Sequence, residues 1–122
     1  MSTINLKLAG ELFMRLRHAA TNAHVEHLTT TIFARHNALG SFYDDIVELA
    51  DDFAEAAQGA ANATRLEYDN VPFVFNPVVE NWAGNLRAWI IQTPITDASE
   101  LLNIIDEIKQ RIDKLVDNLS RN

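Results

Sequence analysis

The chain of 122 residues contains no cysteine, which excludes disulfides, thiolate metal sites and a cysteine nucleophile and fits a reducing compartment. No apolar run approaches the roughly 20 residues needed to span a bilayer. The opening MSTINLKLAGEL lacks the basic-then-apolar layout of a signal peptide, so an intracellular, cytoplasmic protein is predicted. Basic residues are few and scattered: ten Lys and Arg stand against seventeen Asp and Glu, for a net charge of -7. Sequence-independent DNA binding needs clustered cations and is therefore not expected. A G-x-S-x-G elbow, a glycine-rich phosphate loop and an H-E-x-x-H zinc motif are also missing. There is no internal repeat and no low-complexity linker. What remains is one domain's worth of chain with a 48% hydrophobic load, a normal globular content that argues against disorder.

Apolar spacing divides this chain into four helices. The first, from about Ile4 to Thr29, carries Ile4, Leu8, Leu12, Leu16 and Ala20 at four-residue steps, widened by Phe13, Ala23 and Leu28. It stops in Thr29-Thr30-Thr31, where β-branching disfavours helix. The second, about Phe33 to Gln58, carries Leu39, Phe42, Ile46, Leu49, Phe53 and Ala57, with Gly59 as its expected C-cap. The short TTTI link predicts an antiparallel hairpin.

The stretch from Gly59 to Asn76 reads as tolerant of helix at first, then broken at Asp69-Asn70-Val71-Pro72. The apolar run Phe73-Val74-Phe75 follows, expected to be covered, by another subunit if not by its own chain. Asn76 and Pro77 are the expected N-cap and first residue of a third helix bearing Val79, Trp82, Ala83, Leu86, Trp89 and Ile90. It ends before Pro94, and the two tryptophans are expected to pack in the core or an interface. In the fourth, Asp97 and Glu100 are spaced as a capping box before the seam Leu101, Ile104, Ile105, Ile108, Ile112, Leu115, Val116, Leu119. No strand is predicted. The fold class is all-α, a four-helix bundle with a shortened third helix.

All four histidines, at positions 18, 24, 27 and 36, fall in the first hairpin. His24 and His27 share a helix face, His18 lies well round from them, and His36 opens the second helix. Tyr43, Asp44, Glu48, Asp51, Asp52 and Glu55 follow along that helix. Imidazole and carboxylate together suit iron, manganese or zinc. His36 and Asp51 stand fifteen positions apart, roughly 22 Å along a helix, and cannot share an ion within one chain. A two-fold, antiparallel copy of the same helix crossing near Asp44 would instead set Asp51 and Glu55 opposite His36, and would form two such sites. A site within one chain would have to draw on Glu80, the one plausible ligand on the third helix.

These segments resemble those of the Dps-type mini-ferritins. The family's H-x-x-H-W reads here His24-Val25-Glu26-His27-Leu28, with Leu in place of Trp. Its H-x-x-F-D-x-x-Y motif is matched less closely, by His36 to Tyr43, and Asp51 and Glu55 fall at the family's offsets from that histidine. The fourth helix also looks like the family's last, whereas the middle is much shorter. The resemblance implies a ferritin-like homo-oligomer joined through the second helix, with His27, His36, Asp51 and Glu55 as inter-subunit iron ligands. His24 and Asp44 are weaker candidates. It implies oxidation of Fe(II) with iron storage if the site is complete. Gly40 stands where the family has an aspartate ligand, which implies weaker binding or one ion in place of two, and the family's basic DNA-binding tail is missing. Short Dps-like chains of this kind also resemble a group encoded by tailed bacteriophages. The alternative is therefore a structural or interaction module, for example virion-associated, with a degenerate metal site.

Overall fold

Four helices form where the apolar spacing predicts them: α1 Leu6–Thr29, α2 Phe33–Ala60, α3 Val79–Gln92 and α4 Ser99–Ser120. The computed structural model describes residues 3–68 and 72–121; positions 69–71 of the expected break lie outside the described residues. Helix α1 neighbours α2 and α3, and α4 neighbours the same two, so α1/α4 and α2/α3 are the diagonals of a bundle. Across one diagonal Phe42 and Trp82 meet with ring centres 5.6 Å apart.

The directions follow from the links. α1 and α2 are an antiparallel hairpin. The chain then climbs back along α1: the Glu67 N–H donates to the Leu6 carbonyl at 3.2 Å, and the Asn76 N–H donates to Oδ1 of the buried Asn22 at 2.9 Å. From there α3 descends to the foot of α1, where the Asn5 N–H donates to the Ile95 carbonyl at 2.9 Å. α4 returns beside α2, with Arg111 paired to Asp45 at 3.5 Å. α1 and α4 therefore run one way and α2 and α3 the other, joined by one long crossover between α2 and α3. The sole β feature among the described residues is a bridge between Ile4 and Thr96, which ties the N-terminal residues to the α3–α4 link.

Helix ends depart from the sequence expectations in instructive ways. Gly59 does not cap α2; it is helical, and the helix ends at Ala60. The turn is made by Asn62 and Ala63 with φ of 57° and 63°. The Ala63 N–H donates to the Gln58 carbonyl at 2.8 Å and the Asn62 N–H to the Gly59 carbonyl at 3.2 Å, a Schellman closure with Asn at the left-handed position. Asn76 does not cap α3, which starts two residues beyond Pro77; its Oδ1 accepts from the Val78 N–H at 2.9 Å as a local turn. The Asp97 carboxylate accepts from the Thr3 N–H at 2.6 Å, so the expected capping box at α4 does not form. Unforeseen, Asn5 caps α1 by accepting from the Leu8 N–H at 2.9 Å.

The predicted stripes supply the core: Leu12, Leu16, Leu39, Ile46, Phe53, Val79, Leu101, Ile108, Ile112 and Leu115 are fully buried. Leu28 is a correction, because it is 70% exposed. The hairpin helices have 24 and 28 residues and α3 has only 14, so the hairpin turn overhangs the bundle. Leu28, Ile32 and Phe33 at that tip find no cover among the described residues. Phe73, Val74 and Phe75 also stay exposed, so of the two expected covers the described residues do not supply the one from the chain itself; Phe73 meets His18 edge-on, ring centres 5.5 Å apart. Trp82 is buried and Trp89 partly so, under the Arg15 guanidinium. No helix among the described residues is long and apolar enough to cross a membrane.

Two helical glycines are free of contacts: a Cβ at Gly59 or Gly84 would meet nothing within 4 Å. Glycine costs a helix interior about 0.5–1 kcal/mol against alanine. Gly59→Ala and Gly84→Ala are therefore expected to raise stability by about that amount each, read as a higher urea midpoint. An unchanged or lower midpoint would contradict the open surroundings.

Candidate functional site

The overhanging hairpin tip brings three of the four histidines together. Because α1 ends at Thr29 and α2 begins at Phe33, His27 and His36 face each other across the turn. Their rings stack with centres 3.7 Å apart and planes 19° from parallel. Each Nδ1 lies against the other residue's main-chain carbonyl: His27 Nδ1 to the His36 oxygen at 2.6 Å and His36 Nδ1 to the His27 oxygen at 2.7 Å. A carbonyl can only accept, so the Nδ1 of each neutral ring carries the hydrogen. The Nε2 lone pair of each ring has no hydrogen-bond donor among the described residues. A carbonyl-bound Nδ1–H with a free Nε2 is the arrangement metal-ligating histidines commonly show.

Neighbours hold this pair in place. Glu26 and Arg35, adjacent in sequence to the two histidines, form a partly buried ion pair across the same turn. Tyr43, one helical turn past Gly40, stands edge-on to the His27 ring with centres 5.4 Å apart, and stacks on His24 at 4.3 Å. His24 itself is exposed, 6.2 Å from the His27 ring centre.

Gly40 takes part through what it lacks. A Cβ there would lie 2.8 Å from Cε1 and 3.0 Å from Nδ1 of His27. The imidazole thus lies against the bare α2 backbone, in the space a side chain would fill.

The carboxylates are elsewhere. Asp44, Asp51 and Glu55 are exposed along α2, and the helical rise sets Asp51 roughly 22 Å from His36. Glu80 lies in the groove between α3 and α4 with Arg87 and Asp113, on a helix that does not neighbour α2. Among the described residues, no three or more His, Asp or Glu of one chain are grouped to hold a metal ion. His18 stands apart, against Phe73, and burial with Arg15 nearby lowers its pKa.

Sequence reasoning therefore placed His24, His27 and His36 on one hairpin but missed what organises them. The ion pair Glu26–Arg35 carried no periodic signal. Gly40 stood out only as an isolated glycine inside a helical pattern, and the fold alone shows which ring it admits.

Fold and hairpin together define an all-α four-helix bundle carrying a stacked imidazole pair at its overhanging end. Residues 27–119 match a family of unknown function, DUF5856, over about three quarters of the chain, and the chain belongs to that family. No curated protein and no solved structure matches it.

Proposed function

We propose that this protein is a Dps-like, ferritin-like homo-oligomer that binds a divalent metal, iron foremost, between subunits. The observation that carries the reading is the imidazole pair: both rings hold their hydrogen on Nδ1 against a carbonyl, leaving two nitrogen donors ready at Nε2. The fold supports it as well, since a single long crossover between the second and third helices is how ferritin-like bundles are connected. The acidic stretch of α2 and the uncovered apolar tip are surfaces a second copy would cover.

The donor set fits such a group chemically. His27 and His36 from one chain supply neutral nitrogen, and Asp51 and Glu55 from an antiparallel α2 of another supply charge, a mixture suited to Fe(II) or Zn(II). Bound there, Fe(II) would be substrate for oxidation and storage. The protein's part is to fix the imidazole tautomer, to provide negative charge, and to bury the pair between subunits. The alternative, a structural or interaction module such as a virion-associated protein, draws on the same exposed Leu28, Ile32 and Phe33.

The two are separated by elemental analysis of the purified protein with and without added Fe(II), alongside light scattering. The metal-binding reading expects bound metal and an assembly of at least two chains. Asp51→Asn with Glu55→Gln is expected to abolish uptake while leaving the melting temperature of the chain little changed, because both side chains are exposed. An assembly that takes up no metal would leave only the structural module.

A further inference from the structure

The position with the least side chain controls the ring nearest to it. On α2, Gly40 lies one helical turn beyond His36, and the pair of residues makes a niche: the His36 ring on one side and the bare, half-buried α-carbon of Gly40 close by. The His27 imidazole fills this niche, stacked at 3.7 Å on His36 and within 2.8 Å of where a Cβ would stand at position 40. It is fastened there by the 2.6 Å contact of its Nδ1 with the His36 carbonyl. Any side chain at position 40 would meet ring atoms, and the ring cannot swing away without giving up both the stack and that hydrogen bond.

Resting on the metal-binding reading above, we propose that Gly40 is a positioning residue for His27, so that the hairpin tip presents two tautomer-locked imidazoles, each able to hold an ion through its own Nε2, and no carboxylate of its own. The bare α-carbon is then a working feature of this site, and a carboxylate introduced at position 40 would displace an imidazole donor. The ligand class this selects is a borderline divalent cation that favours nitrogen, such as Zn(II) or Fe(II), over the hard cation Mg(II). Orienting contacts of this kind typically carry 10- to 100-fold in metal affinity.

The test uses the full chain and Zn(II) as probe. In the wild type, nitrogen-15 NMR of the imidazoles is expected to find the hydrogen of both His27 and His36 on Nδ1. Millimolar Mg(II) is expected not to displace Zn(II). Gly40→Ala and Gly40→Asp are each expected to lose the His27 Nδ1–H signal and to weaken Zn(II) binding about 10- to 100-fold. Wild-type rings protonated on Nε2, or a Gly40→Asp chain that binds Zn(II) as well as or better than wild type, would overturn the positioning role while leaving metal binding intact. Displacement of Zn(II) by Mg(II) would overturn the proposed ligand class alone. A wild-type chain that takes up neither Zn(II) nor Fe(II) would overturn the metal-binding reading itself, and the role of Gly40 with it.

Discussion

Gly10→Ala is expected to destabilise the fold by about 3 kcal/mol, the reverse of what helix propensity alone predicts. An alanine Cβ at position 10 would lie 2.0 Å from the Glu67 carbonyl oxygen and 2.6 Å from its carbon. Those are main-chain atoms of the crossover, and they cannot move aside as a side chain would. The crossover is also held at this point: the Glu67 N–H donates to the Leu6 carbonyl at 3.2 Å, and the Tyr68 hydroxyl donates to Gln58 Oε1 at 3.0 Å. Tyr68 stands edge-on to Phe13 with ring centres 5.4 Å apart, and Leu66 is buried.

Lifting the backbone by the distance a methyl needs loosens all of these contacts. Forced overpacking costs about 1–3 kcal/mol, and partial exposure of a buried leucine adds up to about 2. Against this stands a helix gain of about 1 kcal/mol. The melting temperature should fall by about 10 °C for a domain of this length. Thermal and urea unfolding would measure it. A stabilisation like that expected at Gly59 or Gly84 would mean that the crossover does not rest on α1.

The contrast among these glycines marks how far sequence reaches. Periodicity found all four helices, because the apolar residues that bury against neighbours must recur at the helical period. Leu12, Leu16, Ile46 and Phe53 were legible on that ground, and each is fully buried. Leu28 was not, since a stripe shows which face is apolar but not how far along it the neighbouring helix reaches, and α3 begins short of the hairpin tip. Helix caps were misread at Gly59, Asn76 and Asp97 for a related reason. Each residue has the right chemistry, but Asp97 is claimed by the Thr3 N–H, and the left-handed turn fell to Asn62 and Ala63.

The candidate site divides in the same way. The sequence placed His24, His27 and His36 on the two arms of one hairpin, because a short link forces antiparallel neighbours, and it looked for their partners on a second copy. The ring stack, the reciprocal Nδ1 contacts and the Glu26–Arg35 clasp depend on the rotation of α2 about its axis, which no one-dimensional pattern records. The absence of a side chain at Gly40 read as a loss in sequence, and in the fold it is a space already taken.

That space can be weighed directly. Gly40→Ala is expected to cost about 2 kcal/mol, despite replacing a mid-helix glycine by the best helix former. Displacing the His27 ring gives up a hydrogen bond worth about 1 kcal/mol, and squeezing an extra methyl against packed rings costs about 1–3. The helix gain of about 1 kcal/mol offsets part of this. The clash is with one side chain, so a double-mutant cycle isolates it. In a His27→Ala background there is no ring to meet the new methyl, and Gly40→Ala should then stabilise the chain by about 0.5–1 kcal/mol, as at Gly84. The coupling between the two positions should therefore amount to about 2–3 kcal/mol, within the range such contacts show. Equal costs of Gly40→Ala in both backgrounds would place the strain in the α2 backbone, and His27 would no longer be the reason for glycine at this position.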